Sequence, residues 1–129
     1  MTFMLDTSIL IDLQRDEKKT IELLDRYLTR EQPARISFMT YVEFWQGTEG
    51  YTLEKKTEIK KFIWQFVILH TTNATALILA KLKHDYDKKK LTKSMNDLFI
   101  AAQAIEHNLT LITKDRDFED VTELKKVIL

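Results

Sequence analysis

Short apolar runs alternate along the chain with longer segments in which apolar residues recur at helical spacing. The runs occupy residues 2–5, 35–38, 66–70, 109–112 and 126–129, a length typical of buried strands. The longer segments include 17–31, 53–66 and 74–90, each with apolar residues three or four positions apart. Strands that alternate with helices predict an α/β domain, with a mainly parallel, roughly five-stranded sheet covered on both faces.

Two further helices are predicted next to strands. Ile9, Leu10 and Leu13 begin a helical period directly after the first apolar run. Ser94-Met95-Asn96-Asp97 opens another helix ahead of the fourth strand. The chain contains no repeat or linker, so a single domain over residues 1–129 is expected.

Composition and charge narrow the class of protein. Twenty basic and twenty acidic residues leave a net charge of zero, so any polyanion would have to be bound by a local patch rather than by bulk charge. The absence of cysteine excludes disulfides and thiolate metal sites. No apolar run approaches the ~20 residues needed to span a bilayer. We therefore expect a cytoplasmic protein that makes no use of a membrane.

Acidic residues follow several of the predicted strands. Asp6 comes directly after the first run, Glu43 follows the second strand, and Asp115 and Asp117 follow the fourth. Asp97 lies at the start of the helix before the fourth strand. Taken singly, each fits a structural role, because Asp and Glu commonly cap helices and turns; Thr40-x-x-Glu43 and Ser94-x-x-Asp97 even fit the capping-box pattern.

Taken together, the acids point to one site. The carboxyl ends of parallel strands meet at one edge of a sheet, and a helix that precedes a strand starts near that strand's carboxyl end. Asp6, Glu43, Asp97 and Asp115 should therefore gather on the edge where open α/β sheets bind ligands. Asp97 also shares a helical face with Ile100, Ala101 and Ala104, which predicts that its carboxylate is buried.

Clustered carboxylates need a cation, because they otherwise repel one another and raise each other's pKa. Oxygen ligands without histidine or thiolate favour a hard ion, Mg²⁺ or Mn²⁺, bound by these clustered carboxylates. Such a site suits the hydrolysis of phosphate esters.

Hydroxyl and basic residues lie close to the acids in sequence. Thr7, Ser8 and Thr113 could orient a water molecule or a phosphate. Arg35, Lys93, Lys114 and Arg116 are the basic residues nearest to the acids in sequence and are candidate phosphate contacts. Each is equally well explained as ordinary solvated surface charge.

Four segments in order resemble the PIN-domain family, and specifically the VapC-type toxins of toxin–antitoxin pairs. The segments are Leu5-Asp6-Thr7-Ser8-Ile9-Leu10, Ile36-Ser37 through Glu43 to Gly47, Asn96-Asp97 to Ala101-Ala102, and Leu111 through Asp115 to Phe118. The resemblance implies a three-layer α/β/α fold and a Mg²⁺- or Mn²⁺-dependent endoribonuclease.

The same resemblance assigns roles to residues. Asp6, Glu43, Asp97 and Asp115 would form the catalytic acidic site, and Asp6, Asp97 and Asp115 would be the metal ligands. Asp117 could share the role of Asp115, and Thr7 and Thr113 would be supporting hydroxyls. Ser8 departs from the pattern, because Asn is common at this position. The family further implies an RNA substrate, a homodimer and a cognate antitoxin.

Two alternatives remain from the sequence. A receiver-like signalling module with a phosphorylated Asp shares the fold class and the need for Mg²⁺. It requires paired acids near the first strand and one after the third, and residues 66–72 contain none. A family member that has lost activity and serves as a binding scaffold is the other alternative, and the presence of all four acids argues against it.

Overall fold

The computed structural model describes residues 2–29 and 32–129, which form a five-stranded sheet, six α-helices and a single 3₁₀ turn. The strands are β1 (Phe3–Leu5), β2 (Arg35–Ser37), β3 (Val67–Leu69), β4 (Thr110–Thr113) and β5 (Lys126–Ile128). The helices are α1 (Thr7–Gln14), α2 (Lys18–Leu24), α3 (Phe38–Thr48), α4 (Leu53–Ile63), α5 (Asn73–Lys88) and α6 (Met95–Glu106). The 3₁₀ turn spans Arg116–Phe118. All five predicted strands are confirmed.

The sheet is entirely parallel, with strand order β3-β2-β1-β4-β5. The chain moves outward from β1 through β2 to β3, and then crosses to the other side of β1 to place β4 and β5. The strand order therefore reverses between β1 and β4. A crevice at such a reversal, beyond the carboxyl ends of the strands, is where open α/β sheets bind ligands.

Successive residues of the central strands point to opposite faces and anchor two hydrophobic clusters. Met4 and Leu111 lie in the cluster that includes apolar residues of α5 and α6. Leu5 and Ile112 lie in the other, which includes apolar residues of α1 to α4. These four side chains are fully buried. The three-layer α/β/α arrangement is thus confirmed.

One buried polar side chain ties α6 to the sheet. Gln103 has no exposed surface, and its Oε1 accepts from Ser37 Oγ (2.6 Å) and from the Phe38 backbone N–H (2.8 Å). Its Nε2 donates to the Leu69 carbonyl at 3.0 Å. Because both ends of the amide are satisfied, Gln103 fixes how α6 sits against the carboxyl ends of β2 and β3.

The helix predicted over 17–31 is shorter than expected, and its last two residues lie outside the described part of the chain. The helix α2 ends at Leu24, after which Tyr27 N–H donates to the Leu24 carbonyl in a tighter i→i+3 turn. This turn lets the ring of Tyr27 pack edge-on against Phe3, with centroids 5.9 Å apart.

The capping box predicted at Thr40-x-x-Glu43 is wrong. The N-cap of α3 is Ser37, whose Oγ accepts from the Met39 backbone N–H, so Thr40 lies inside the helix. Glu43 consequently has no capping role. Within residues 2–29 and 32–129, no helix is both long enough and apolar enough to cross a membrane.

Candidate active site

Asp6 lies at the reversal point, directly after β1. It occupies the N-cap position of α1, yet its side chain makes no capping hydrogen bond. Its Oδ2 instead accepts from Thr113 Oγ1 at 2.7 Å, across from the end of β4, and from Ser8 Oγ at 3.2 Å. The side chain is buried, and burial raises the pKa of Asp6 against the lowering effect of these donors. The Asp6 carboxylate therefore points toward the end of β4 and does not cap α1.

Glu43 reaches the same region from the second turn of α3. Its Oε1 accepts from Thr7 Oγ1 at 2.8 Å, and its Oε2 accepts from Asn96 Nδ2 at 3.4 Å. Thr7 belongs to α1 and Asn96 to α6, so the Glu43 carboxylate bridges three helices that are distant in sequence. The supporting role predicted for Thr7 is consistent with this contact.

Asp97 stands in the first turn of α6, where Ser94 is the N-cap and its Oγ accepts from the Asp97 backbone N–H at 3.1 Å. Ser94 caps the helix as predicted, but the capping box is only half formed, because among the described contacts the Asp97 side chain returns no hydrogen bond to the Ser94 N–H. The Asp97 side chain is only half-buried, whereas the sequence predicted a buried one, because its place in the first turn leaves it at the mouth of the crevice.

The charges around Asp97 show that the four acids converge. Burial raises the pKa of Asp97 to about 6, and the neighbouring negative charge of Asp115 adds to the rise, followed by those of Asp6 and Glu43. Direct contacts agree with this, because carboxylate oxygens of Asp97 and Asp115 lie within 4.8 Å of one another and Asn96, next to Asp97, contacts Glu43. The structure thus brings Asp6, Glu43, Asp97 and Asp115 to one crevice.

Asp115 and Asp117 enter from the segment after β4. Asp115 is the N-cap of the 3₁₀ turn, and its Oδ1 accepts from the Asp117 backbone N–H at 2.9 Å. Its own N–H donates to Thr113 Oγ1 at 2.9 Å. Thr113 therefore contacts both Asp6 and Asp115 and holds the two strand ends of the crevice together.

The tightest group of potential metal ligands is Asp97, Asp115 and Asp117, which offer carboxylate oxygens within 4.8 Å of one another. The ligand set expected from sequence was Asp6, Asp97 and Asp115. Asp117 joins the group because the 3₁₀ turn folds it back beside Asp115, whereas Asp6 is held by Thr113 and Ser8. Asx-turn chemistry in the Asp-x-Asp spacing was the sequence signal for this geometry.

The donor set fits a divalent cation. Every candidate ligand is a carboxylate, and among the described residues none of these carboxylates forms a salt bridge with Lys, Arg or His. Half-buried acids without a compensating cation are unfavourable, as the raised pKa of Asp97 shows. A hard dication bound by oxygen ligands would remove that repulsion.

Three of the basic residues predicted as phosphate contacts already have polar partners within the chain. Lys93 Nζ donates to the Asp117 carbonyl and to Asp120 Oδ1, Lys114 Nζ lies 2.7 Å from Asp12 Oδ2, and Arg116 pairs with Glu119.

Arg35 begins β2, so it lies at the amino edge of the sheet, and the structure does not bring it to the acids. Lys93 ties the start of α6 to the segment after the 3₁₀ turn, and Lys114 ties the segment after β4 to α1.

Two residues of the site were not assigned a role from sequence. Asn96 contacts Glu43, and Gln103 fixes α6, which carries Asp97. Asn96 lies in the segment Asn96-Asp97 to Ala101-Ala102 that resembles the family, so the sequence could have marked it as a site residue. Gln103 lies on the buried face of a helix, where sequence alone does not reveal its partners.

Comparison with known proteins places this geometry in a family. The PIN domain model matches residues 3–124. Ribonuclease VapC1 of Haemophilus influenzae (strain R2866) is 29% identical over 128 residues, covering 97% of this chain and 96% of that protein.

Solved structures agree with the sequence comparison. VapBC-1 from nontypeable Haemophilus influenzae superposes with a TM-score of 0.85 at 27% identity, covering 99% of this chain and 98% of that one. VapBC2 from Rickettsia felis, bound to a DNA fragment from its promoter, shares the fold with a TM-score of 0.86 at 22% identity and the same coverage. With a matching family model over nearly its whole length and the expected acids in one crevice, the chain belongs to the PIN domain family.

Proposed function

We propose that this protein is a Mg²⁺- or Mn²⁺-dependent endoribonuclease that hydrolyses phosphodiester bonds in RNA, and that it is the toxin of a toxin–antitoxin pair. The observation that carries the proposal is the convergence of Asp6, Glu43, Asp97 and Asp115 at the reversal of strand order, with no salt-bridge partner for them among the described residues. The relatives named ribonuclease and the neighbouring VapBC structures support it.

The ligand roles follow from the carboxylate geometry. Asp97, Asp115 and Asp117 would hold the ion, with Asp6 as a further ligand beside them. A bound hard dication would lower the pKa of a coordinated water and stabilise negative charge on the phosphate oxygens. Thr113 holds Asp6 and Asp115 next to each other, because its hydroxyl donates to the Asp6 carboxylate and accepts from the Asp115 backbone N–H.

Glu43 is the candidate general base. Thr7 and Asn96 orient its carboxylate from two sides, so one Glu43 oxygen can accept a proton from the attacking water. The water oxygen forms the new bond to phosphorus, the bond from phosphorus to the leaving ribose oxygen breaks, and that oxygen takes a proton from solvent. The products are two shorter RNA strands.

The two sequence alternatives are less well supported. A receiver-like module would need an acid after β3, and residues 70–72 are His-Thr-Thr. A scaffold that has lost activity would have no need to keep repelling carboxylates in one crevice.

The proposal is tested by incubating the purified protein with a mixed pool of end-labelled RNA, with Mg²⁺ or Mn²⁺ and after chelation. Cleavage should require the ion and should be lost in Asp6→Asn and Asp97→Asn with the fold intact by circular dichroism. Asp25→Asn is the matched control, since Asp25 is exposed at the end of α2. Full activity of both active-site variants would refute the proposed role of these acids.

Partners form the second part of the proposal. Because the neighbouring structures are VapBC complexes, we expect this chain to bind a cognate antitoxin and to form a homodimer. Co-expression with the product of an adjacent small reading frame should suppress RNA cleavage and yield a stable complex on gel filtration. A cleavage rate that is unaffected by that product would count against the pairing.

A further inference from the structure

A basic depression lies where α5 passes into α6, beside the acidic crevice. It has a volume of about 330 Å³ and is lined by Lys83, Asp87, Lys90, Leu91, Thr92 and Lys93. Lys83 is paired with Asp87 inside the lining, and Lys93 is paired with Asp120 outside it. Among the described residues, Lys90 is therefore the one lysine of the lining whose charge no carboxylate neutralises. In a chain with no net charge, a polyanion would need local positive charge of this kind.

Lys90 holds an unusual backbone conformation at the rim of the depression. Its φ is 59°, in the left-handed region, and it follows the last turn of α5. The Leu91 N–H donates to the Tyr86 carbonyl at 3.0 Å, which closes the helix in the manner that usually places Gly at this position.

The choice of lysine at this position is therefore informative. The other described residues with positive φ, apart from glycine, are Asp16 and Asn108, whose short polar side chains tolerate that region. The backbone of a lysine is strained there relative to Gly, although its charge is favourable at a helix C-terminus. A strained residue that is exposed and charged points to a use for its side chain. Within residues 2–29 and 32–129, Lys90 forms no salt bridge.

The depression is physically joined to the acidic crevice. Lys93, on its floor, donates to the backbone carbonyl of Asp117, one of the three closest potential metal ligands. The side chain of Lys93 is only 8% exposed, so this link is a buried one. Lys93 therefore belongs both to the lining of the depression and to the border of the acidic crevice.

We propose that the depression lined by Lys83, Lys90, Thr92 and Lys93 binds a backbone phosphate of single-stranded RNA next to the bond in the acidic crevice. This inference rests on the proposed nuclease function. Lys90 supplies the free ammonium, and Lys83 and Lys93 add positive charge although each is already paired with a carboxylate. A phosphate group carries no sequence information, so this site would fix the path of the RNA strand without selecting its base sequence.

Lys90→Gly gives a sharp test, because it removes the ammonium and relieves the strained backbone at once. A fluorescent single-stranded RNA is titrated by anisotropy in Mn²⁺ and at several salt concentrations, with every variant placed in the cleavage-deficient Asp6→Asn background. We expect Lys90→Gly and Lys90→Gln to weaken RNA binding several-fold. The slope of log affinity against log salt should fall by about 0.7, the value for one lost phosphate contact on a single strand. The melting temperature of Lys90→Gly should be equal to or higher than that of the wild type.

Lys61→Gln is the matched control. Lys61 is exposed near the end of α4, which leads into the start of β3, so the same charge is removed at the opposite edge of the sheet. Unchanged affinity and salt slope in both Lys90 variants would overturn the proposal, and so would an equal loss of affinity in Lys61→Gln.

The outcome is separable from that of the nuclease assay. If the wild type binds RNA through Lys90 yet cleaves none with Mg²⁺ or Mn²⁺, the phosphate site stands and the proposed activity fails. If the wild type cleaves RNA and the Lys90 variants bind it equally well, the phosphate site is refuted and the nuclease proposal stands.

Discussion

The substitution Asp97→Asn should make the metal-free protein more stable, although it should abolish activity. Asp97 is half-buried and faces the negative charge of Asp115, with smaller effects from Asp6 and Glu43, and its pKa is raised to about 6 from an ordinary 3.8. Burial is the largest cause. At neutral pH the wild-type carboxylate is ionised although burial and the neighbouring acids disfavour its negative charge. An asparagine of similar shape carries no charge.

The sign and size of this stability difference follow from the linkage between proton binding and folding. A carboxyl whose pKa is higher in the folded state binds protons more readily there, so the free energy of unfolding falls as pH rises between about 4 and 6. A shift of about two units corresponds to at most about 3 kcal/mol. Because about half of the side chain is open to solvent, screening reduces this to roughly 1 kcal/mol.

The assay is urea unfolding in EDTA at several pH values for the wild type, Asp97→Asn and the control Asp25→Asn. At pH 7.5 we expect Asp97→Asn to exceed the wild type by about 1 kcal/mol, and at pH 4 we expect the difference to vanish. Adding Mn²⁺ should then stabilise the wild type and not Asp97→Asn. A variant that is less stable than the wild type at pH 7.5 without metal would refute the account of repelling carboxylates.

Three further substitutions probe how the crevice is held together. Gln103→Leu leaves buried hydrogen-bond partners unsatisfied at the ends of β2 and β3, and urea unfolding should show a loss of about 3 kcal/mol. An unchanged urea midpoint would contradict that. Thr113→Val removes the donor to Asp6 and should lower the RNA cleavage rate by roughly 10- to 100-fold. Thr110→Val, on the same strand, should leave the rate near that of the wild type, and equal losses in both would deny Thr113 a specific role. Phe118→Ala empties a fully buried position beneath the 3₁₀ turn, and calorimetry should report about 4 kcal/mol of lost stability. A loss under about 1 kcal/mol would show that Phe118 does not anchor the turn.

The sequence predicted the parts of the site that depend on local patterns. The five strands follow from short apolar runs, and the placement of Asp6 and Asp115 follows from their position at strand ends. The parallel arrangement then implies a common edge. The cap by Ser94 was readable from its spacing to Asp97, because capping involves only neighbouring residues.

The parts that sequence could not supply depend on contacts between distant residues. Asp117 approaches Asp97 only because the 3₁₀ turn folds it back, and Lys93 proves to be held by Asp120 rather than free in solvent. The partners of Gln103 lie 34 to 66 residues away. Such pairings are set by packing of whole elements, which hydrophobic periodicity does not encode.

The local exceptions have equally physical causes. The predicted Thr40-x-x-Glu43 box failed because α3 starts three residues earlier, at Phe38, with Ser37 as its cap. This shift frees Glu43 from a structural role and lets Thr7 and Asn96 orient it. A difference of three residues in the predicted start of α3 thus changes the role assigned to Glu43 from helix cap to candidate base.

Direct titration of Mn²⁺ by electron paramagnetic resonance tests the central claim, that acids from separate elements form one cation site. The wild type should bind Mn²⁺ in a saturable manner, Asp97→Asn and Asp115→Asn should lose most of that binding, and Asp25→Asn should retain it. Equal binding of Mn²⁺ by the wild type and both active-site variants, or no saturable binding by the wild type at all, would contradict the account.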